Sequence, residues 1–102
     1  KTHMNEKLRN KHTDVFFDAV LSLRDKEECY AFFEDICTVS ELQAMAQRLY
    51  VAQLLDKGMT YQEISAATGA STATISRINK CLEYGTDGYK TALGRLKEHE
   101  RD

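Results

Sequence analysis

Thr60–Asn79, TYQEISAATGASTATISRIN, is the stretch whose reading decides the fold. Its spacing predicts two short helices hinged at a glycine. Thr60 can cap the first through its hydroxyl while Glu63, three residues on, reaches back to it, the reciprocal arrangement of a capping box. The helix is expected to end near Thr68, with Gly69 supplying the left-handed conformation that a helix terminus favours. Ser71 or Thr72 then caps a second helix that carries Ile75, Ile78 and Leu82 on one face. Two helices around a tight glycine turn make a helix-turn-helix candidate.

Working outward, the 102 residues contain no proline, and Ala, Leu, Glu, Gln and Lys are frequent. Without that obligate breaker, long helices are favoured and the expected class is all-α. The length suits one domain over residues 4–102, with Lys1–His3 read as a remnant ahead of a natural start at Met4. Upstream of the hairpin, Thr38-Val39-Ser40-Glu41 is another capping box. It opens a helix with the stripe Leu42, Met45, Ala46, Leu49, Ala52, which ends at Lys57-Gly58. Asp25 and Glu28 cap a helix lined by Cys29, Phe32, Phe33 and Ile36. Before it, Val15, Phe16, Ala19, Val20 and Leu23 mark an amphipathic helix over 14–23, with Met4–His12 as a polar arm or its exposed first turns. Downstream, 83–88 is turn chemistry and Tyr89, Leu93 and Leu96 define a last helix that frays from Lys97. About six helices result. Phe16, Phe17, Tyr30, Phe32 and Phe33 offer more aromatic surface than two short helices bury against each other, so they serve either core packing or a partner subunit.

Charge and composition narrow the function classes. No apolar run approaches a membrane span and the given sequence does not open on a basic-then-apolar pattern, so the cytoplasm is expected. Cys29, Cys37 and Cys81 form no ligand spacing with one another or with histidine, and are expected as buried small hydrophobes with no metal site. No catalytic constellation is present: histidines occur only at His3, His12 and His99, and neither a nucleophile elbow nor a phosphate loop occurs. No enzyme is expected. A net charge of −2 and a pI near 5.9 oppose bulk electrostatic binding of nucleic acid. Local sign differs, because Thr60–Leu82 sets Arg77 and Lys80 against Glu63 alone.

The second helix of the hairpin carries the functional signal. Thr72, Ala73, Thr74, Ser76 and Arg77 combine small, hydroxyl and cationic side chains, although Ser and Thr are poor choices for a purely solvated helix face. Methyls can meet thymine, hydroxyls can serve bases or phosphates, and arginine can pair with guanine or phosphate. The residues alone therefore point to reading DNA; the alternative is a helical protein–protein interaction module.

Glu63-Ile64, Gly69-Ala70 and Ala73-Thr74-Ile75-Ser76-Arg77 resemble the helix-turn-helix of the bacterial tryptophan repressor superfamily. Thr38, Glu41, Ala44, Arg48 and Leu54-Leu55 are similar to the helix before it, with a one-residue deletion between Arg48 and Leu54. The likeness covers about Thr38 to Leu82 and is strongest to the YerC/YecD group. It implies an intertwined, all-helical homodimer placing two recognition helices in successive major grooves of a palindromic operator, with half-sites roughly 34 Å apart. It further implies that Thr72, Ala73, Thr74 and Ser76 face bases or nearby backbone, and that Gln62 and Ser65 match first-helix contacts, in place of an arginine and a lysine; Ser71, Arg77 and Lys80 complete the expected DNA-binding set. Thr38, Arg48 and Arg77 match residues around the corepressor tryptophan, whereas Ile78 and Cys81 stand where the family has glycine and serine. Ile78 is expected to fill that cavity, so no cofactor is expected; tryptophan or another small corepressor is the alternative.

Overall fold

The computed structural model describes residues 6–101, and among them every regular element is helical. A 3₁₀ turn at Glu6–Leu8 precedes α1 (Lys11–Leu21), α2 (Lys26–Ile36), α3 (Val39–Asp56), α4 (Tyr61–Thr68), α5 (Thr72–Tyr84) and α6 (Gly88–Arg101). Lys1–His3, read as a remnant, and Met4–Asn5 of the expected arm lie outside the described residues.

Helix boundaries have local chemical causes. Asn10 starts α1 earlier than the apolar pattern indicates, its side chain accepting from Thr13 N at 2.9 Å. Asp25 caps α2 through Glu28 N at 2.9 Å. The returning Glu28 carboxylate accepts from Arg24 N at 2.8 Å, one residue upstream of the position a strict capping box uses. Thr38 and Glu41 close a full box on α3, with Glu41 N donating to Thr38 Oγ1 at 3.1 Å and Thr38 N to Glu41 Oε1 at 2.8 Å. After Asp56, Gly58 N bonds Leu55 O and Met59 N bonds Leu54 O, the paired bonds of a Schellman end, with Gly58 at φ 85°.

Two compact units divide the chain, Met4–Ala44 and Met45–Asp102, so that α3 contributes to both. Among described residues of the first unit, none is buried. Phe16 lies 5.5 Å from Phe17 and 6.0 Å from Phe32, and Phe32 lies 5.3 Å edge-on to Phe33. Phe17 at 54%, Tyr30 at 61% and Val39 at 72% nevertheless remain exposed. The second unit holds the core: Val51, Ala52, Leu54, Ile64, Ala70, Ile75, Ile78, Leu82 and Leu93.

Four expectations are corrected. Of the stripe assigned to α3 only Ala52 is fully buried, while Met45 and Ala46 are exposed and Val51 and Leu54 take the core positions. Apolar residues at 49, 51, 52, 54 and 55 surround the helix, so packing rather than periodicity selects the buried face. The cysteines are not buried: Cys29 and Cys81 are exposed and Cys37 half-buried, on faces this single chain leaves open. Glu83 and Tyr84 belong to α5, which shortens the turn to three residues, Gly85 to Asp87. Finally, α6 continues past Lys97 to Arg101, with Lys97 Nζ 2.6 Å from Asp56 on α3.

Candidate nucleic-acid interface

Short-range bonds build the helical hairpin. Glu63 N donates to Thr60 Oγ1 at 3.1 Å, and Thr60 N donates back to Glu63 Oε1 at 2.9 Å. The Thr60 backbone bond, helped by its hydroxyl, holds the Glu63 carboxyl below the usual glutamate range. At the other end Gly69 adopts φ 77°, ψ 1°, and its N–H donates to Ser65 O at 2.8 Å. Hydroxyls then saturate the turn: Thr68 Oγ1 donates to Ile64 O at 2.8 Å and accepts from Ala70 N at 3.1 Å, while Ser65 Oγ donates to Ala70 O at 2.9 Å. Ser71 caps α5, accepting from Thr74 N at 3.2 Å. Beneath the turn, Ile64 and Ile75 are both 0% exposed. Ala70 is buried with them, whereas Ala66 is exposed.

With its apolar face committed, α5 turns Thr72, Ala73, Arg77 and Lys80 to solvent, with Thr74 and Ser76 half-buried beside them. No acidic residue occurs from Ile64 to Leu82, so the only formal charges on this surface of α5 are positive up to Glu83. The expected reading face is therefore one contiguous surface on the first two turns. Gln62 is exposed in the first turn of α4. Ser65 is half-buried and spends its proton inside the turn, which leaves only its lone pairs for an outside donor.

Four of the five residues assigned to a ligand pocket come together as well. Arg48, Arg77, Ile78 and Cys81 line a hollow of about 360 Å³, joined by Tyr89 from α6. Ile78 is 2% exposed, belongs to the core and forms one wall of the hollow. Thr38 belongs to the first unit, where its hydroxyl and N–H are engaged with Glu41. In the sequence Tyr89 stands as an apolar position of the last helix, and its phenol is the feature that suits it to the hollow. Burial raises the Tyr89 phenol above its usual value and the neighbouring Cys81 thiol adds to this, against the opposing charges of Arg48 and Arg77. The hollow thus presents two guanidinium groups, a phenol and a thiol around an apolar wall, chemistry suited to a small organic anion. Among the described residues no group of His, Cys, Asp and Glu side chains could hold a metal ion.

Comparison with known proteins agrees with the all-helical fold. Residues 11–97 match the family model of the Trp repressor protein. The chain is 56% identical over 97 residues to the uncharacterized protein YerC of Bacillus subtilis strain 168, covering 95% of this chain and 93% of that one. A crystal structure of a TrpR-like protein from Eubacterium eligens superposes with a TM-score of 0.88 at 48% identity, covering 91% of this chain and 96% of that one. A TrpR-like protein of Staphylococcus aureus gives 0.89 at 49% identity, over 93% and 96% respectively.

Proposed function

The chain belongs to the Trp repressor family, and from that premise we propose that it is a cytoplasmic, sequence-specific DNA-binding transcriptional regulator. It acts as a homodimer on a palindromic operator and does so without tryptophan. The observation that carries the reading is the outward surface of α5, where Thr72, Ala73, Thr74, Ser76, Arg77 and Lys80 stand together on a helix whose opposite face is locked into the core. Such a surface offers methyl, hydroxyl and guanidinium groups suited to base edges and phosphates. Dimerisation is supported by the first unit, which buries none of its described residues and exposes Phe17, Leu21, Tyr30 and Val39. A second copy supplies the apolar surface that the unit lacks. Independence from tryptophan is supported by Ile78 and Cys81, which line the hollow beside the two arginines at the positions where the resemblance has glycine and serine. Among the described residues, no helix is long and apolar enough to cross a membrane.

Selection of bound sequences from random DNA, with and without tryptophan, tests the reading. The expected result is a palindromic preference that is unchanged by tryptophan, with affinity falling steeply as salt rises. Thr74→Ala combined with Arg77→Ala removes two contacts, each worth about 1–3 kcal/mol of discrimination if it reaches a base, and should cut specific binding at least ~tenfold without unfolding the protein. Binding that shows neither salt dependence nor sequence preference refutes DNA reading and favours a protein-interaction module. A tryptophan-dependent preference, or tight saturable tryptophan binding by calorimetry, refutes only the ligand independence.

A further inference from the structure

We infer that Gln47 sets the angle between α3 and the hairpin, and is thereby a specificity-determining positioning residue; the inference rests on the DNA-binding reading above. The half-buried amide Nε2 of Gln47 donates to the backbone carbonyl of Thr68 at 3.1 Å, across 21 residues of sequence. Thr68 is the last residue of α4, so its carbonyl is among the four that a helix end leaves without an intrahelical partner. A partly buried carbonyl in that position needs a donor, and α3 provides it.

Thr68 is also the junction of the turn. Its hydroxyl donates to Ile64 O on α4 and accepts from Ala70 N on the approach to α5. One residue is therefore tied through its backbone to α3 and through its side chain across the turn. The apolar contacts beneath, centred on Val51, Ile64 and Ile75, hold the helices together but have no preferred direction. The Gln47 bond has one, since an amide N–H and a carbonyl oxygen must align to interact. The next residue, Arg48, lines the hollow with Arg77, Ile78 and Cys81 of α5. On successive residues, α3 thus reaches the end of α4 and the middle of α5.

Alignment matters unequally for the two kinds of DNA contact. Phosphate contacts are largely sequence-independent and tolerate a shifted helix, whereas base-edge hydrogen bonds require side chains held to within about 0.5 Å and 10–20°. Loosening the α3–α4 angle therefore lowers discrimination while leaving non-specific affinity in place. Loss of fold stability instead reduces both kinds of binding together.

The test uses Gln47→Met, which keeps length and removes the donor, and Gln47→Glu, which turns an acceptor toward the carbonyl. Each is compared with the wild type on the DNA duplex selected from random sequence and on a scrambled duplex, at a temperature where circular dichroism shows all three folded. For Gln47→Met the ratio of specific to non-specific affinity should fall about five- to tenfold, the effect of one hydrogen bond, with non-specific affinity and salt slope unchanged. Gln47→Glu should lose more. A wild type that prefers its sequence and variants that keep the same ratio overturn the inference and leave the DNA-binding reading standing. Unfolding of both variants makes Gln47 a core residue and overturns the inference too. A wild type without sequence preference or salt dependence removes the reading and the inference with it.

Discussion

Gly69→Ala isolates what the turn between α4 and α5 requires. At φ 77° the backbone is left-handed, yet a Cβ built there meets nothing within 4 Å, so the cost of a side chain is purely conformational. A non-glycine L-residue in that region costs about 1–2 kcal/mol. Alanine also restricts the unfolded chain, which offsets about 0.4–1 kcal/mol, leaving a net destabilisation of about 1 kcal/mol. Gly69→Asn should cost less, because asparagine tolerates the left-handed region. Gly85 supplies the internal contrast: its φ is an ordinary −84°, but a Cβ there lies 2.4 Å from the Cys81 carbonyl oxygen. Alanine and asparagine at position 85 should therefore be destabilising to the same degree. Urea unfolding followed by far-UV circular dichroism, at one protein concentration, reads all four variants. A net loss of about 1 kcal/mol lowers the melting temperature by about 4–8 °C in a domain of this size. Gly69→Ala as stable as the wild type, or Gly69→Asn as damaging as Gly69→Ala, refutes the account.

Ile75→Ala empties a fully buried site between α4 and α5 and should cost about 2–5 kcal/mol by the same unfolding assay; a loss below 1 kcal/mol means that the hairpin is not centred there. The carboxyls of Glu41 and Glu63 are held below the ordinary range by bonds from Thr38 and Thr60, so their contribution to stability is present above the unfolded value of about 4.3 and is lost as pH falls through the lower folded values. An acid titration should accordingly show the urea midpoint dropping below about pH 4, with a smaller drop in the Glu41→Gln, Glu63→Gln double variant; identical profiles refute the assignment.

Features governed by neighbouring residues were legible in the sequence. Thr60 with Glu63, Thr38 with Glu41, Gly69 and the cap at Ser71 each depend on side chains a few positions apart, and each stands where its spacing placed it. Features chosen by packing were less so. Val51 and Ala70 are buried although neither completed a periodic stripe, because the position of a neighbouring helix decides which apolar face is covered. The cysteines illustrate the converse, since small apolar character favours burial only where another surface arrives. In the hollow, Arg48, Arg77, Ile78 and Cys81 are marked by the resemblance, whereas Tyr89 comes from another helix and has no spacing to announce it. Gln47 was silent for the same reason: its partner is a backbone carbonyl, and every residue has one.

The saturated turn has a consequence for the order in which the molecule can assemble. Its fastening bonds run between Thr60 and Glu63, Ile64 and Thr68, Ser65 and Ala70, and Ser71 and Thr74, none spanning more than five residues. Closing such small loops forfeits little chain entropy, and local contacts of this kind are the ones a chain finds soonest. The hairpin can therefore take shape before distant parts of the chain have met. The aromatic segment before α3 has caps of the same reach at Asn10 and Asp25, but none of its described residues is buried.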